Sequence, residues 1–260
     1  MGFGSNEPVL SGIYKLNNMI ERTFDQHISR QFNNELEHLR QQMMAMGGIV
    51  EQMLRQAVQA LIESDTALAQ VVIDTDDQVN QIEKKLDEEC TLVIARRQPA
   101  ASDLRLIFAI IKAISDLERI GDEAEKIARW AISLADYSRP RNDYRELELL
   151  GHTVLDMLRQ GLDGFTRLSP EVAIELKNQD KKVDQEYETI FRQYYSYMME
   201  DAGQIRRILD ALLVAKSMER IGDHCKNLGE YVYYLVQGHD VRYETARQMQ
   251  DSLDLESSEE

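Results

Sequence analysis

Glu118 and Asp122 stand four residues apart in the pentapeptide Glu118-Arg119-Ile120-Gly121-Asp122, which recurs as Glu219-Arg220-Ile221-Gly222-Asp223. On a helix this spacing puts both carboxylates on one face, about 6 Å apart along the axis. Like charges so placed cost a helix a few tenths of a kcal/mol, so something should offset the repulsion. One offset is salt bridging, because Arg119 and Arg220 lie three residues before the aspartates and Lys126 lies four after Asp122. The other is a bound cation, since hard divalent and ferric ions collect oxygen ligands. The second copy continues as Glu219, Asp223, Asn227 with no base in the row, whereas the first has Lys126 at the third position. That difference predicts unequal sites, with the first binding metal differently or more weakly.

Gly121 and Gly222 fall in mid-helix, where glycine costs about 1 kcal/mol against alanine. A glycine kept twice predicts close approach by a neighbouring backbone or a bound group. The preceding helices supply candidate partners for the acidic motifs: Asp76, Asp77 and Asn80 in one half, Asp180 and Asp184 in the other. Facing helices of a bundle are where cation sites are assembled. Exposed acids at helical spacing are also commonly just solvated, and that alternative stays open.

Other constellations carry less. A ferritin-like di-iron centre needs two Glu-x-x-His elements, and the chain offers one, Glu35 to His38, read as a surface pair. His224 and Cys225 are adjacent and so point about 100° apart, which reads as packing or rim positions. Tyr194, Tyr195, Tyr197, Tyr231, Tyr233 and Tyr234 concentrate aromatics in the second half, where core packing is the first reading and a partner surface the second. No nucleophile elbow, phosphate loop, dinucleotide fingerprint or Cys-x-x-Cys pair appears, so an enzyme is disfavoured. The surviving enzymatic alternative is a metal-dependent hydrolase or oxidase using the acids; a purely structural bundle is the third reading.

These residues must be positioned by helices. Apolar residues recur at three- and four-residue spacing, as in Leu54, Ala57, Val58 and Leu61. The breaks predict helices near 30–64, 67–97, 101–137, 143–168, 171–200 and 204–238. Ser169 before Pro170 reads as an N-cap followed by proline at the first helical position. Met53-Leu54-Arg55-Gln56 recurs as Met157-Leu158-Arg159-Gln160, and Asp76, Val79 and Asn80 correspond to Asp180, Val183 and Asp184, both at an offset of 104. The pentapeptides are offset by 101, and the three missing residues fall in the second connection, where deletions are tolerated. The expected fold is all-α: two tandem, pseudo-symmetric three-helix bundles, 27–138 and 143–240, each burying a core of its own. A loosely attached arm over 1–26 and a solvated acidic tail over 241–260 complete the division.

Of the 260 residues 43% are hydrophobic and 29% charged, with four prolines, which suits long helices. A net charge of -16 disfavours nucleic acid as a partner. The two cysteines, Cys90 and Cys225, read as thiols in a reducing compartment. No apolar run spans a bilayer and no signal peptide is evident, so a cytoplasmic location is expected.

The doubled Glu-Arg-Ile-Gly-Asp, the segment from Arg97-Gln98-Pro99 to Asp103-Leu104-Arg105, and Asp180-Lys181-Lys182-Val183-Asp184 resemble the PhoU family of bacterial phosphate-uptake regulators over about residues 27–240. The resemblance implies two symmetric three-helix bundles holding metal clusters, usually iron, on their acidic motifs, which Glu118, Asp122, Glu219, Asp223 and Asn227 match. It implies a negative regulator of the phosphate regulon and of uptake, an adaptor between the high-affinity phosphate ABC transporter and its sensor histidine kinase. Homodimers are common in the family, and no catalytic residue is implied.

Overall fold

The structure, a computed structural model, describes the backbone of residues 7–137 and 144–256 and the side chains of 30–137 and 144–255. Among the described residues it consists of α1 (Glu7–Glu63), α2 (Thr66–Arg97), α3 (Ala101–Ala135), α4 (Arg145–Arg167), α5 (Glu171–Glu200), a 3₁₀ turn, α6 (Ile205–Gln237) and α7 (Ala246–Glu256). The linker expected around Ser138 to Asn142 lies outside the described residues, as do the first six of the expected arm.

In α1 the buried positions Leu36, Leu39, Met43, Met46, Val50, Met53, Ala57 and Leu61 advance by three or four, so one stripe faces inward. The helix expected from residue 30 runs back to Glu7. The break after it is left-handed at Ser64 (φ 56°), and Asp65 caps α2 by accepting a hydrogen bond from the Leu68 amide at 2.9 Å. The same left-handed break recurs at Leu168 (φ 53°), 104 residues on. Its following residue behaves differently from expectation: the Ser169 hydroxyl donates to Glu171 at 2.5 Å and caps no backbone amide, so Pro170 lies before the first helical turn.

The bundles α1–α3 and α4–α6 lie side by side, with α3 against α6 the most extensive helix pairing and α1 against α4 beside it. Cross-contacts respect the repeat. A Cβ on Gly47 would meet Leu162 Cδ2 at 2.5 Å, and one on Gly151 would meet Val58 Cγ2 at 2.8 Å; both residue pairs are related by 104. These knobs lock the halves together, and one continuous apolar cluster runs from Leu36 to Val232. The expectation of a separate core in each half is therefore corrected: the small residues at the seam merge the two.

The last segment is also more ordered in its packing than its charge suggests. Val241 and Met249 are fully buried against Ala173 and Tyr233, and α7 packs on α5. Ala246, Met249 and Leu253 form a short stripe that outweighs the surrounding acids, so the tail is not wholly solvated. No helix among the described residues is long and apolar enough to cross a membrane.

Candidate functional site

The third helices bring the pentapeptides to the middle of the molecule. Contacts across the seam run in opposite directions along α3 and α6: Asp116 with Tyr231, Glu123 with Arg220, Ser133 with Asp210. The helices thus cross antiparallel, related by a pseudo-two-fold axis. Arg119 and Arg220 line one cavity of about 300 Å³ at this crossing with Asp122, Glu123, Lys126, Asp223 and His224.

Asp116 is only 2% exposed and accepts hydrogen bonds from Tyr231 at 2.6 Å and from His224 Nδ1 at 2.8 Å, with Asn227 Nδ2 at 3.5 Å. Glu123, equivalent to His224 by the offset of 101, is bonded by Lys126 at 3.0 Å and Arg220 at 3.2 Å. Burial pushes the Glu123 carboxyl up, but hydrogen bonds from Ser217, Lys126 and Arg220 outweigh it and hold the group below its ordinary range. The Tyr231 hydroxyl is raised by burial and by the Asp116 carboxylate it bonds. Asp116 escaped notice in the sequence because it has no acidic counterpart in the repeat, where the equivalent residue is Ser217.

On the outer side of each pentapeptide, the glycine faces side chains of the preceding helix and not the backbone or bound group its repetition predicted. A Cβ on Gly121 would stand 3.4 Å from Val79 Cγ1 and 3.7 Å from Asp76 Oδ1; on Gly222 it would stand 3.2 Å from Val183 Cγ1 and 3.7 Å from Asp180 Oδ1. What approaches closely is the facing helix, and it brings an aspartate over the acidic face of each third helix. In the first unit Asp76 joins Glu118 and Asp122, with Asn80 donating to Asp76 Oδ2 at 3.0 Å. Asp77 is exposed and adds only its charge, which repels that of Asp76. Burial raises the Asp76, Glu118 and Asp122 carboxyls; neighbouring acids add to it, and at Asp122 the charge of Lys126 offsets part of the rise. No basic side chain lies within 4.0 Å of these three among the described residues.

The second unit is equivalent in frame and different in charge. Lys226 donates to Asp180 Oδ2 at 2.6 Å and to Asp223 Oδ1 at 2.7 Å, while Lys216 donates to Glu219 at 2.6 Å. Burial alone would lower the Lys226 ammonium; its two carboxylate partners hold it above its ordinary value. Asp180 and Asp184 are both raised, first by burial. Asn227, expected to extend the second oxygen row, is turned across the seam to Asp116, because one residue along a helix rotates a side chain by about 100°. Lys126, expected to interrupt the first row, reaches Glu123 instead. Ion pairs with Lys226 and Lys216 thus fall on the second cluster, while among the described residues none forms with Asp76, Glu118 or Asp122.

Both clusters contain atoms suited to a hard cation. Asp76 Oδ1, Asn80 Oδ1 and Asp180 Oδ1 are buried without a hydrogen-bond partner, a costly state that a bound ion would relieve. Among the described residues, no three His, Cys, Asp or Glu side chains are closed into a ready coordination sphere. The oxygens of the first cluster would have to draw inward onto an ion, whereas those of the second already hold an ammonium.

The remaining candidates resolve simply. Glu35 is held by Arg97 at 2.7 Å, which lowers its carboxyl, and His38 lies 3.6 Å from Glu89, so the pair serves the surface. Cys90 and Cys225 are buried free thiols, and burial pushes Cys90 up to about 12. The tyrosines divide between roles: Tyr194 and Tyr233 are buried, while Tyr195 and Tyr197 are exposed.

Comparison with known proteins meets this duplicated site twice. The model of the PhoU domain matches residues 43–131 and again 147–232, starts 104 apart and ends 101 apart, the offsets of the internal repeat. The chain belongs to the PhoU family. The phosphate-specific transport system accessory protein PhoU homolog of Pseudomonas putida is 50% identical over 223 residues, 86% of this chain and 87% of that protein. The accessory protein PhoU of Escherichia coli is 49% identical over 220 residues, 84% and 90% of the two chains. The crystal structure of PhoU from Pseudomonas aeruginosa superposes with a TM-score of 0.78 at 49% identity, covering 80% of this chain and 100% of its own. That of the phosphate transport system regulatory protein PhoU from Streptococcus pneumoniae does so at 0.75 with 28% identity, covering 81% and 99%. The two-bundle PhoU architecture thus holds in solved structures down to 28% identity.

Proposed function

We propose that this chain is an accessory regulator of a phosphate-specific transport system. It acts in the cytoplasm as a negative regulator of the phosphate regulon and of uptake, coupling the phosphate ABC transporter to a sensor histidine kinase without turning over a substrate. The observation that carries this reading is the doubled PhoU domain, with identity near 50% across most of the length of proteins so named. An exposed apolar face supports an interaction protein. Phe191, Tyr195 and Met199 recur every four residues on α5, and Ile205, Leu209 and Leu213 do so on α6. At the α5 positions α2 carries Asp87, Thr91 and Ala95, so the α5 row is particular to the second unit.

The reading includes a metal, iron or another hard di- or trivalent ion. Asp76, Asn80, Glu118 and Asp122 would hold it in the first unit; Asp180, Asp184, Glu219 and Asp223 occupy the corresponding positions in the second, where Lys226 bonds two of them. Bound there, the ion would neutralise repelling carboxylates and tie the second helix to the third. Deletion of the gene, read with a phosphate-starvation reporter in phosphate-rich medium, should give constitutive expression. A reporter that stays silent contradicts the regulatory role.

A further inference from the structure

We infer that in the second unit the ammonium of Lys226 takes the place of a metal ion, so that a hard cation binds at the first acid cluster and is excluded from the second. The inference rests on the metal part of the function proposed above, and it assigns the two halves different roles.

The paired positions carry the argument. Asp76 and Asp180 sit the same 3.7 Å from the Cβ position of their glycines, and each leaves Oδ1 buried without a partner. Their second oxygens differ. Asp180 Oδ2 receives the Lys226 ammonium, which also bonds Asp223, whereas Asp76 Oδ2 receives the neutral Asn80 amide. The residue equivalent to Lys226 is Glu125, of opposite sign, and the residue equivalent to Lys216 is Ser115. The Glu125 carboxylate is taken up by Arg129 at 2.6 Å and so does not close the first cluster.

A metal entering the second cluster would have to displace a doubly bonded ammonium and then face its charge at short range in a partly buried site, where screening is weak. In the first cluster the same ion meets carboxylates that repel one another and an amide, with Lys126 and Arg119 acting on Asp122 and Glu118 only from beyond ion-pair distance. The frame was duplicated, and the second copy carries its cation on its own side chain.

The test is metal stoichiometry on the full chain. The protein is stripped with chelator, titrated with Mn²⁺ by calorimetry, and assayed by elemental analysis after desalting, with thermal unfolding as a check on folding. Wild type should load one cluster, and Asp122→Asn should weaken that binding at least tenfold. Lys226→Gln and Lys226→Met should each add a second loaded cluster, and the Asp180→Asn, Lys226→Gln double variant should lose it. Metal taken up only after Lys226 is replaced would overturn the assignment of the first cluster as the binding site. Unchanged stoichiometry in both Lys226 variants, or wild-type loading that survives Asp122→Asn, would overturn the inference. So would failure of every variant to take metal, a result that leaves the reporter test of regulation standing by itself.

Discussion

Asp76 and Asp180 lie over helical glycines at matching distance, yet one is surrounded by Asp122, Glu125 and Asp77 while the other is clamped by Lys226. Residues that fix backbone approach, Gly121 and Gly222 with Val79 and Val183, are the same in both units. Residues that set charge, Glu125 against Lys226 and Ser115 against Lys216, are not. Packing geometry tolerates little change in a close-packed seam, whereas charge on a half-exposed helix face can reverse without disturbing the fold. A duplicated site is therefore best compared by sign as well as by shape.

The sharpest way to break this comparison is to make the same substitution in both units of the metal-free protein. Asp180→Asn strips a buried ammonium of one charged partner and should cost about 2 kcal/mol in urea unfolding. Asp76→Asn removes a repelling charge and should instead gain a few tenths of a kcal/mol. The gain should depend on pH. Because the folded state raises Asp76, Glu118 and Asp122, it binds protons more tightly than the unfolded chain, an advantage present below the ordinary values of 3.8 and 4.5 and lost as pH rises through the raised ones. The stabilisation by Asp76→Asn should accordingly be present at pH 7 and vanish below about pH 4. Equal losses from both substitutions would mean that the two clusters are electrostatically alike.

How much of this was legible in the sequence depends on what each residue reports. The repeat offsets and the helix breaks follow from local rules and hold in the structure, while of the two glycines only Gly222 meets a tight contact, and that from a side chain. The direction of a single polar side chain does not. Lys226 and Asn227 are neighbours about 100° apart, and only the placement of α5 and α3 decides which of them meets the acids. Aligning the repeats by charge would have exposed the Glu125 to Lys226 reversal. Residue composition also misled at the chain's end, where the three-residue step from Ala246 to Met249 anchors a segment that reads as acidic tail.

The glycines sharpen the comparison on a smaller scale. Gly229→Ala would bring a Cβ to 2.9 Å from the Ala173 backbone and should destabilise by about 1 to 3 kcal/mol; its first-unit counterpart is already Ala128. Gly121→Ala meets only ordinary contact with Val79 at 3.4 Å and should stabilise by up to about 1 kcal/mol, the helix-propensity gain. Gly222→Ala, tighter at 3.2 Å from Val183, should come out near neutral. Thermal or urea unfolding of the three variants orders them directly.

The central claim, that one acid cluster is open to a cation and the other carries its own, is tested most directly by anomalous diffraction from crystals of the full chain soaked in Mn²⁺. The account predicts a peak among Asp76, Asn80, Glu118 and Asp122 and none between Asp180 and Asp223. Equal peaks in both clusters, or a peak in the second alone, would contradict it.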